Sequence, residues 1–241
     1  MILYVIGFGS GSRGCMTADA EQAIQDSELI VGYQTYVELI RGFFPEKEFR
    51  ANGMRQEVVR VRDALDAAQH QNTALICSGD PELYGMAGLA YQLRADYPDV
   101  HIQVVPGVTA AFSGGALLGS PLTHDFAALS LSDLLTSPEK IRKRICCATE
   151  ADFVIVLYNP SSKHRPEHLM KACDLILSYR SPDTVCGFVR NIGREDQSYR
   201  VLRLQELRNT PVDMFTTVFI GNSETRLIDG KMVTPRGYRD V

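Results

Sequence analysis

Gly9, Gly11 and Gly14 stand behind an apolar run, Met1-Ile-Leu-Tyr-Val-Ile6, and satisfy the spacing G-x-G-x-x-G. After a buried strand, glycines so spaced let a pyrophosphate approach the backbone and the N-terminus of the next helix. That chemistry also needs an acid at the end of the second strand to hold a ribose, roughly 20 residues further on. Here the second strand-like stretch, Leu29-Ile30-Val31, runs into Gly32-Tyr33, and the next acid is Glu38. The glycines therefore predict a tight turn and argue against a nicotinamide or flavin cradle. Metal chemistry has as little to build on. His164 and His168 share an i, i+4 spacing without a carboxylate or thiol at ligand spacing, and read as an exposed helix start. The six cysteines (15, 77, 146, 147, 173 and 186) contain no C-x-x-C pair. They read as reduced, mostly buried thiols, with one of Cys146 and Cys147 buried and the other partly exposed.

Three further stretches put small and polar residues just after strand-like runs. They are Ser78-Gly79-Asp80-Pro81 with Leu83-Tyr84-Gly85, Val105-Pro106-Gly107-Val108-Thr109-Ala110-Ala111, and Leu157-Tyr158-Asn159-Pro160. The carboxyl edge of an α/β sheet is where ligands collect. Each stretch also has an architectural reading, with Asp80 as a helix N-cap before Pro81 and Thr109 capping the helix after a Pro-Gly turn. Their joint occurrence, in this order, favours a ligand site.

Loops of this kind need alternating strands and helices to hold them. The first half reads as strands at 2–8, 28–31, 73–77 and 102–105, with helices at 17–27, 56–69, 83–95 and 109–118. In the second of these helices Val59, Leu65 and Ala68 fall at helical spacings with charges between them. The rhythm breaks over 119–124, which places the boundary between domains at 1–119 and 120–241. The second half reads as strands at 127–131, 153–158, 184–189, 199–204 and 215–220, with helices at 138–148 and 166–178. Ser137-Pro138-Glu139 supplies a cap, a proline at N1 and an acid for the first of these. A hairpin closes 226–233 over Asp229-Gly230. The class is α/β, with more antiparallel character in the second domain. With 45% hydrophobic and 22% charged residues the composition is globular, and a net charge of −4 argues against general nucleic-acid binding. No apolar run approaches the roughly 18 residues of a membrane span, and the chain enters a strand at once rather than a signal peptide. A soluble cytoplasmic protein is expected.

On these residues the chain resembles the class III S-adenosylmethionine-dependent methyltransferases, the tetrapyrrole methylase family. Within it, the chain is most similar to the branch that methylates C-17 of precorrin-3B or cobalt-factor III in cobalamin biosynthesis. Besides the stretches above, the resemblance rests on GSPLTHDF (119–126), LSDLLT (131–136), ADFVIVLYNP (151–160) and VTPRGY (233–238), and it covers essentially the whole chain. It implies two αβα lobes with the active site in the cleft between them, a homodimer, and a tetrapyrrole substrate. S-adenosylmethionine would be the methyl donor and S-adenosylhomocysteine the product.

Carried onto matching positions, the resemblance assigns the donor site to Asp80, Leu83, Tyr84, Thr109, Ala110, Tyr158 and Asn159. Asn191, Ile192, Gly193, Ile220, Gly221 and Asn222 would be further walls. Gly9, Ser10 and Gly11 would face the tetrapyrrole. Ser10 stands where the family usually has proline, which frees φ and restores a backbone donor. The many carboxylates of the substrate call for Arg55, Lys163, Arg165 and Arg236. Methyl transfer from a sulfonium depends chiefly on positioning. The ring contraction that accompanies C-17 methylation moves protons, and His124, Asp125, Ser132 and Asp133 are the candidates to move them. No metal is expected on the protein, since cobalt would arrive inside the substrate. The competing readings are another precorrin methyltransferase, an NAD(P)-dependent oxidoreductase built on the opening glycines, and a non-catalytic tetrapyrrole carrier.

Overall fold

The computed structural model describes residues 1–162 and 165–239. The chain divides into two compact units, Met1–Ala110 and Ala111–Val241. In the first, β1 (Ile2–Gly7) leads through a short turn of 3-10 helix and α1 (Ala18–Gln25) to β2 (Leu29–Tyr33). There follow α2 (Gln34–Ile40), β3 (Glu48–Asn52), α3 (Glu57–Ala67), β4 (Thr73–Cys77), α4 (Ala87–Leu93) and β5 (His101–Val105). The strands form one parallel sheet in the order β3-β2-β4-β1-β5.

Alternate side chains of these strands point to opposite faces, and helices cover both. Ile6, Ile30 and Ile76 meet Ile24 of α1 with Val37 and Ile40 of α2. Val5, Val31 and Leu75 meet Val61 and Leu65 of α3 with Ala90 of α4. Burial on both faces is why the central strands read as unbroken apolar runs. One expectation is inverted on α3: Val59 is 53% exposed, whereas Arg60 is buried.

The second unit contains α5 (Ala110–Leu118), β6 (Gly119–Ser120), β7 (Phe126–Ser130), α6 (Pro138–Glu150), β8 (Val154–Tyr158) and α7 (His168–Leu177). It continues with β9 (Val185–Arg190), β10 (Ser198–Arg203), α8 (Leu204–Leu207), β11 (Thr216–Ile220), β12 (Arg226–Ile228) and β13 (Lys231–Val233). The main sheet has the order β10-β9-β11-β8-β7. β7 and β8 run parallel, and β8, β11, β9 and β10 pair antiparallel in turn. The hairpin β12–β13 turns at Asp229-Gly230 and pairs with β6.

Helices α6, α7 and α8 bury one face of this sheet through Ile145, Leu169, Ile176 and Leu207. α5 lies on the other, where glycines admit it: a Cβ on Gly187 would lie 2.8 Å from Leu118, and one on Gly114 would lie 3.1 Å from Phe219. This packing ties α5 to the second unit, and the compact units divide after Ala110, the first residue of that helix; the rhythm of the sequence places the boundary at 119/120. Four of these elements, α2, β3, β6 and α8, were not expected, and the helix expected over 83–95 begins at Ala87. Cys146 is partly exposed and Cys147 exposed, so neither of that pair is buried.

Candidate active site

Because the five strands of the first unit are parallel, the loops after β1, β3, β4 and β5 share one edge. β1 and β4 are neighbours whose chains leave toward opposite faces, the position where a doubly wound sheet opens a crevice. Here that position is bridged by backbone. Gly9 N–H donates to Gly79 O at 3.2 Å, and Gly79 N–H donates to Gly9 O at 2.7 Å. Gly7 packs into the same junction, where a Cβ would lie 2.5 Å from Gly79 O and 2.7 Å from Gly107 N. The N-terminus of α1 begins beyond Gly14 and already has its cap, Thr17 Oγ1 accepting from Ala20 N–H at 3.1 Å. Gly7 and Gly9 join loops to one another, which is a physical reason why the glycine spacing does not make a dinucleotide cradle.

Asp80 organises the loop after β4. Its Oδ1 accepts from Glu82 N–H at 2.8 Å and Leu83 N–H at 3.4 Å, while Oδ2 accepts from Gly107 N–H at 3.1 Å. It therefore caps a loop, and α4 starts later because Tyr84 sits at φ 60° in the left-handed region. That conformation is costly for a bulky residue and leaves the Tyr84 ring half exposed. Thr109 and Ala110 follow Gly107 at the same edge. Gly9 and Gly11 have positive φ, and Ser10 between them is buried with a hydroxyl that has no hydrogen-bond partner among the described residues. Arg55, at φ 64°, is exposed in the loop after β3.

Arg60 was missed by sequence reading. Its Nε donates to Asn52 Oδ1 at 2.8 Å and Nη2 to Gly53 O at 2.7 Å, with the guanidinium over the Tyr33 ring. It fixes the loop after β3, and burial lowers its pKa. An arginine among helix-surface charges gives no sequence signal for burial. Cys77, at the end of β4, is pushed up to about 12 by desolvation and is no nucleophile.

In the second unit the loops after the parallel strands β7 and β8 form one hydrogen-bonded network. Asn159 Nδ2 donates to Ser130 Oγ at 3.0 Å, and Ser132 N–H donates to the same oxygen at 3.2 Å. Arg165 Nη1 meets Asp133 Oδ1 at 2.6 Å, and its Nε donates to Ser162 Oγ at 3.2 Å. The Arg165 hydrogen bond holds the Asp133 carboxyl below the usual carboxylate range. Tyr158 Oη accepts from Ala111 N–H at 2.9 Å. At this same end of the sheet, Asn191 N–H donates to Phe215 O and its side chain donates to Asp196. Its Oδ1 is buried without a partner among the described residues. A ligand N–H would complete it, so these residues fit a donor that carries amino groups. Asn159 and Asn191, at φ 52° and 51°, are both in the left-handed region.

The structure separates other candidates from this group. His124 and Asp125 precede β7 whereas Ser132 and Asp133 follow it, so the length of a strand, on the order of 15 Å, lies between the pairs. His124 and Asp125 are exposed, and the His124 Nδ1 accepts from the Asp125 N–H at 2.8 Å. Ile220–Asn222 are displaced in the same way. β11 runs antiparallel to β8 and β9, which carries its carboxyl end away from Tyr158, Asn159 and Asn191. Ile220 is fully buried, Gly221 N–H donates to Val185 O, and Asn222 lines a separate polar cavity of about 580 Å³ with Asp152, Arg180 and Arg203. Arg236 is exposed in the tail beyond β13, Arg165 is committed to Asp133, and Lys163 and His164 lie outside the described residues.

Residues 2–208 match the family Tetrapyrrole (Corrin/Porphyrin) Methylases. The chain is 45% identical over 239 residues to the probable cobalt-factor III C(17)-methyltransferase of Salmonella typhimurium, covering 98% of this chain and 99% of that one. It is 37% identical over 246 residues to the precorrin-3B C(17)-methyltransferase of Sinorhizobium sp, with 98% and 96% covered. Among solved structures, the methyltransferase CobJ matches with a TM-score of 0.88 at 31% identity, over 97% of this chain and 99% of that chain. With glycine junction, Asp80 loop and whole-chain likeness in agreement, the chain belongs to the tetrapyrrole methylases.

Proposed function

We propose that this chain is an S-adenosylmethionine-dependent methyltransferase acting at C-17 of a cobalt-factor III or precorrin-3B type tetrapyrrole in cobalamin biosynthesis. What carries the reading is likeness from end to end, at 45% identity, to a chain bearing that name. The lower identity of 37% to the precorrin-3B relative favours the cobalt-containing substrate. When bound, the donor supplies an electrophilic methyl group on a sulfonium. The residues of this chain then have to hold and orient.

In the first unit this work falls to the Asp80 loop with Leu83, Tyr84, Thr109 and Ala110, and the tetrapyrrole is met by Gly9, Ser10 and Gly11. In the second, Tyr158, Asn159 and Asn191–Gly193 serve the donor, and Ser132 and Asp133 serve the proton movements of ring contraction. Asp133, held ionised by Arg165, acts as an acceptor of protons and not as an acid at neutral pH. Arg55 and Arg236 are exposed and would meet the substrate carboxylates.

The reading extends to a homodimer in the cytoplasm. Leu134 and Leu135, 57% and 100% exposed, offer apolar surface to a second copy, and six free thiols suit a reducing compartment. Sedimentation at micromolar concentration is expected to give twice the monomer mass. Incubation with the donor and each tetrapyrrole, followed by mass spectrometry, is expected to give a product one methyl heavier. Unchanged mass with both substrates would overturn the assignment.

A further inference from the structure

His168 read from sequence as an exposed helix start, yet its side chain is mostly buried, with both ring nitrogens facing polar groups. Nδ1 lies 2.8 Å from Leu131 O, and Nε2 lies 3.6 Å from Asp133 Oδ2. The side chains of His168 and Arg165 are each 21% exposed, and Arg165 holds the other oxygen of the same carboxylate. A carbonyl only accepts, so Nδ1 must carry a proton for the contact with Leu131. In the neutral ring Nε2 then has a lone pair that faces a carboxylate. In the imidazolium it has a proton to donate.

We propose that His168 and Arg165 form a pH-sensitive clamp that positions Asp133 for the reaction. His168 holds the loop after β7 by its hydrogen bond to Leu131 O, and a protonated ring adds an ion pair to the Asp133 carboxylate. The inference rests on the methyltransferase reading for its catalytic consequence, and on the geometry alone for the clamp.

Other groups around α7 leave His168 to this role. α6 and α8 pack on α7 through Ile141, Ile145, Leu204 and Leu207. Glu167 pairs with Lys171, and Asp174 with Arg208. Cys173 is buried, its thiol pushed up to about 12. Among the described residues, the charged groups that meet His168 are Asp133 and, through it, Arg165.

His168→Asn can still donate to Leu131 O but cannot titrate, whereas His168→Phe loses both contacts. Turnover, KM and S-adenosylhomocysteine affinity are to be measured from about pH 5.5 to 8.5. In the wild type, kcat is expected to fall as pH rises across this range, with S-adenosylhomocysteine affinity flat. His168→Asn is expected to keep that affinity and the thermal stability, to lose several-fold in kcat at the acid end, and to show a flattened profile. Asp133→Asn should flatten it too. In ligand-free protein, nitrogen NMR is expected to find the neutral ring protonated on Nδ1. An unaltered kcat profile in His168→Asn, or an Nε2–H tautomer, would overturn the clamp. A wild type without turnover overturns the functional reading instead, and the tautomer then decides the clamp alone.

Discussion

At the residue scale, the informative atoms are those whose polar needs the chain does not meet by itself. Ser10 is buried with an unpartnered hydroxyl, and such a group costs about 1–3 kcal/mol relative to a paired one. Ser10→Ala is therefore expected to raise the unfolding free energy by about 1 kcal/mol, read from denaturant melts, while raising KM for the tetrapyrrole. A destabilised variant would mean that the hydroxyl is held within the protein. Asp133 makes the opposite case. Its folded pKa is lowered by Arg165, so the pair stabilises the protein above the ordinary carboxylate range, and that contribution fades as pH falls below about 4. Arg165→Met is expected to lower stability at neutral pH and to converge on the wild type in acid. A constant difference across urea melts at both pH values would show that lost packing, not charge, is responsible. Sequence placed Asp80 and Asn159 in loops after strands, where the structure has them. The composition of the two polar pairs carries no sign that the five-residue strand β7 separates His124 and Asp125 from Ser132 and Asp133.

At the element scale, what was legible followed from burial. β4 and the core of β1 are continuous apolar runs and were placed within a residue of their ends. β3, an edge strand reading Glu48-Phe-Arg-Ala-Asn52 with most positions exposed, has no such pattern. The helix expected over 83–95 loses its first turn to side-chain chemistry: Asp80 takes the amides of Glu82 and Leu83, and Gly85 packs against Pro81 where a Cβ has no room. The seat of α5 depends on a missing side chain of the same kind. Gly187→Val would improve strand propensity but drive into Leu118, and overpacking of this sort costs about 1–3 kcal/mol. Thermal melts are expected to show that loss, with part of it recovered in the double variant Gly187→Val, Leu118→Ala. Additive losses in the double variant would mean that the two positions do not compete for the same space.

At the scale of the whole molecule, the parallel first sheet and the glycine run together suggest a dinucleotide enzyme, and what separates the two readings is how the glycines are used. In the doubly wound dinucleotide fold the second strand ends in an acid and the glycine turn feeds a bare helix N-terminus. In this chain β2 ends on Tyr33, whose ring stacks edge-on with Tyr36 and lies under Arg60, and Gly9 is paired to Gly79. A buried arginine in that position would welcome a carboxylate, yet no acid at the end of β2 supplies one. The chain should therefore be stabilised by S-adenosylhomocysteine and indifferent to NADH. A ligand at a hundred times its dissociation constant adds about 2.7 kcal/mol to the folded state, which for a chain of 241 residues is a rise in Tm of about 5–10 °C. That rise is expected with S-adenosylhomocysteine at millimolar concentration, and a rise with NADH alone would return the glycines to the cofactor and dismantle the assignment. The contrast tests the fold's use and not its class, because either ligand could in principle sit on a sheet of this order.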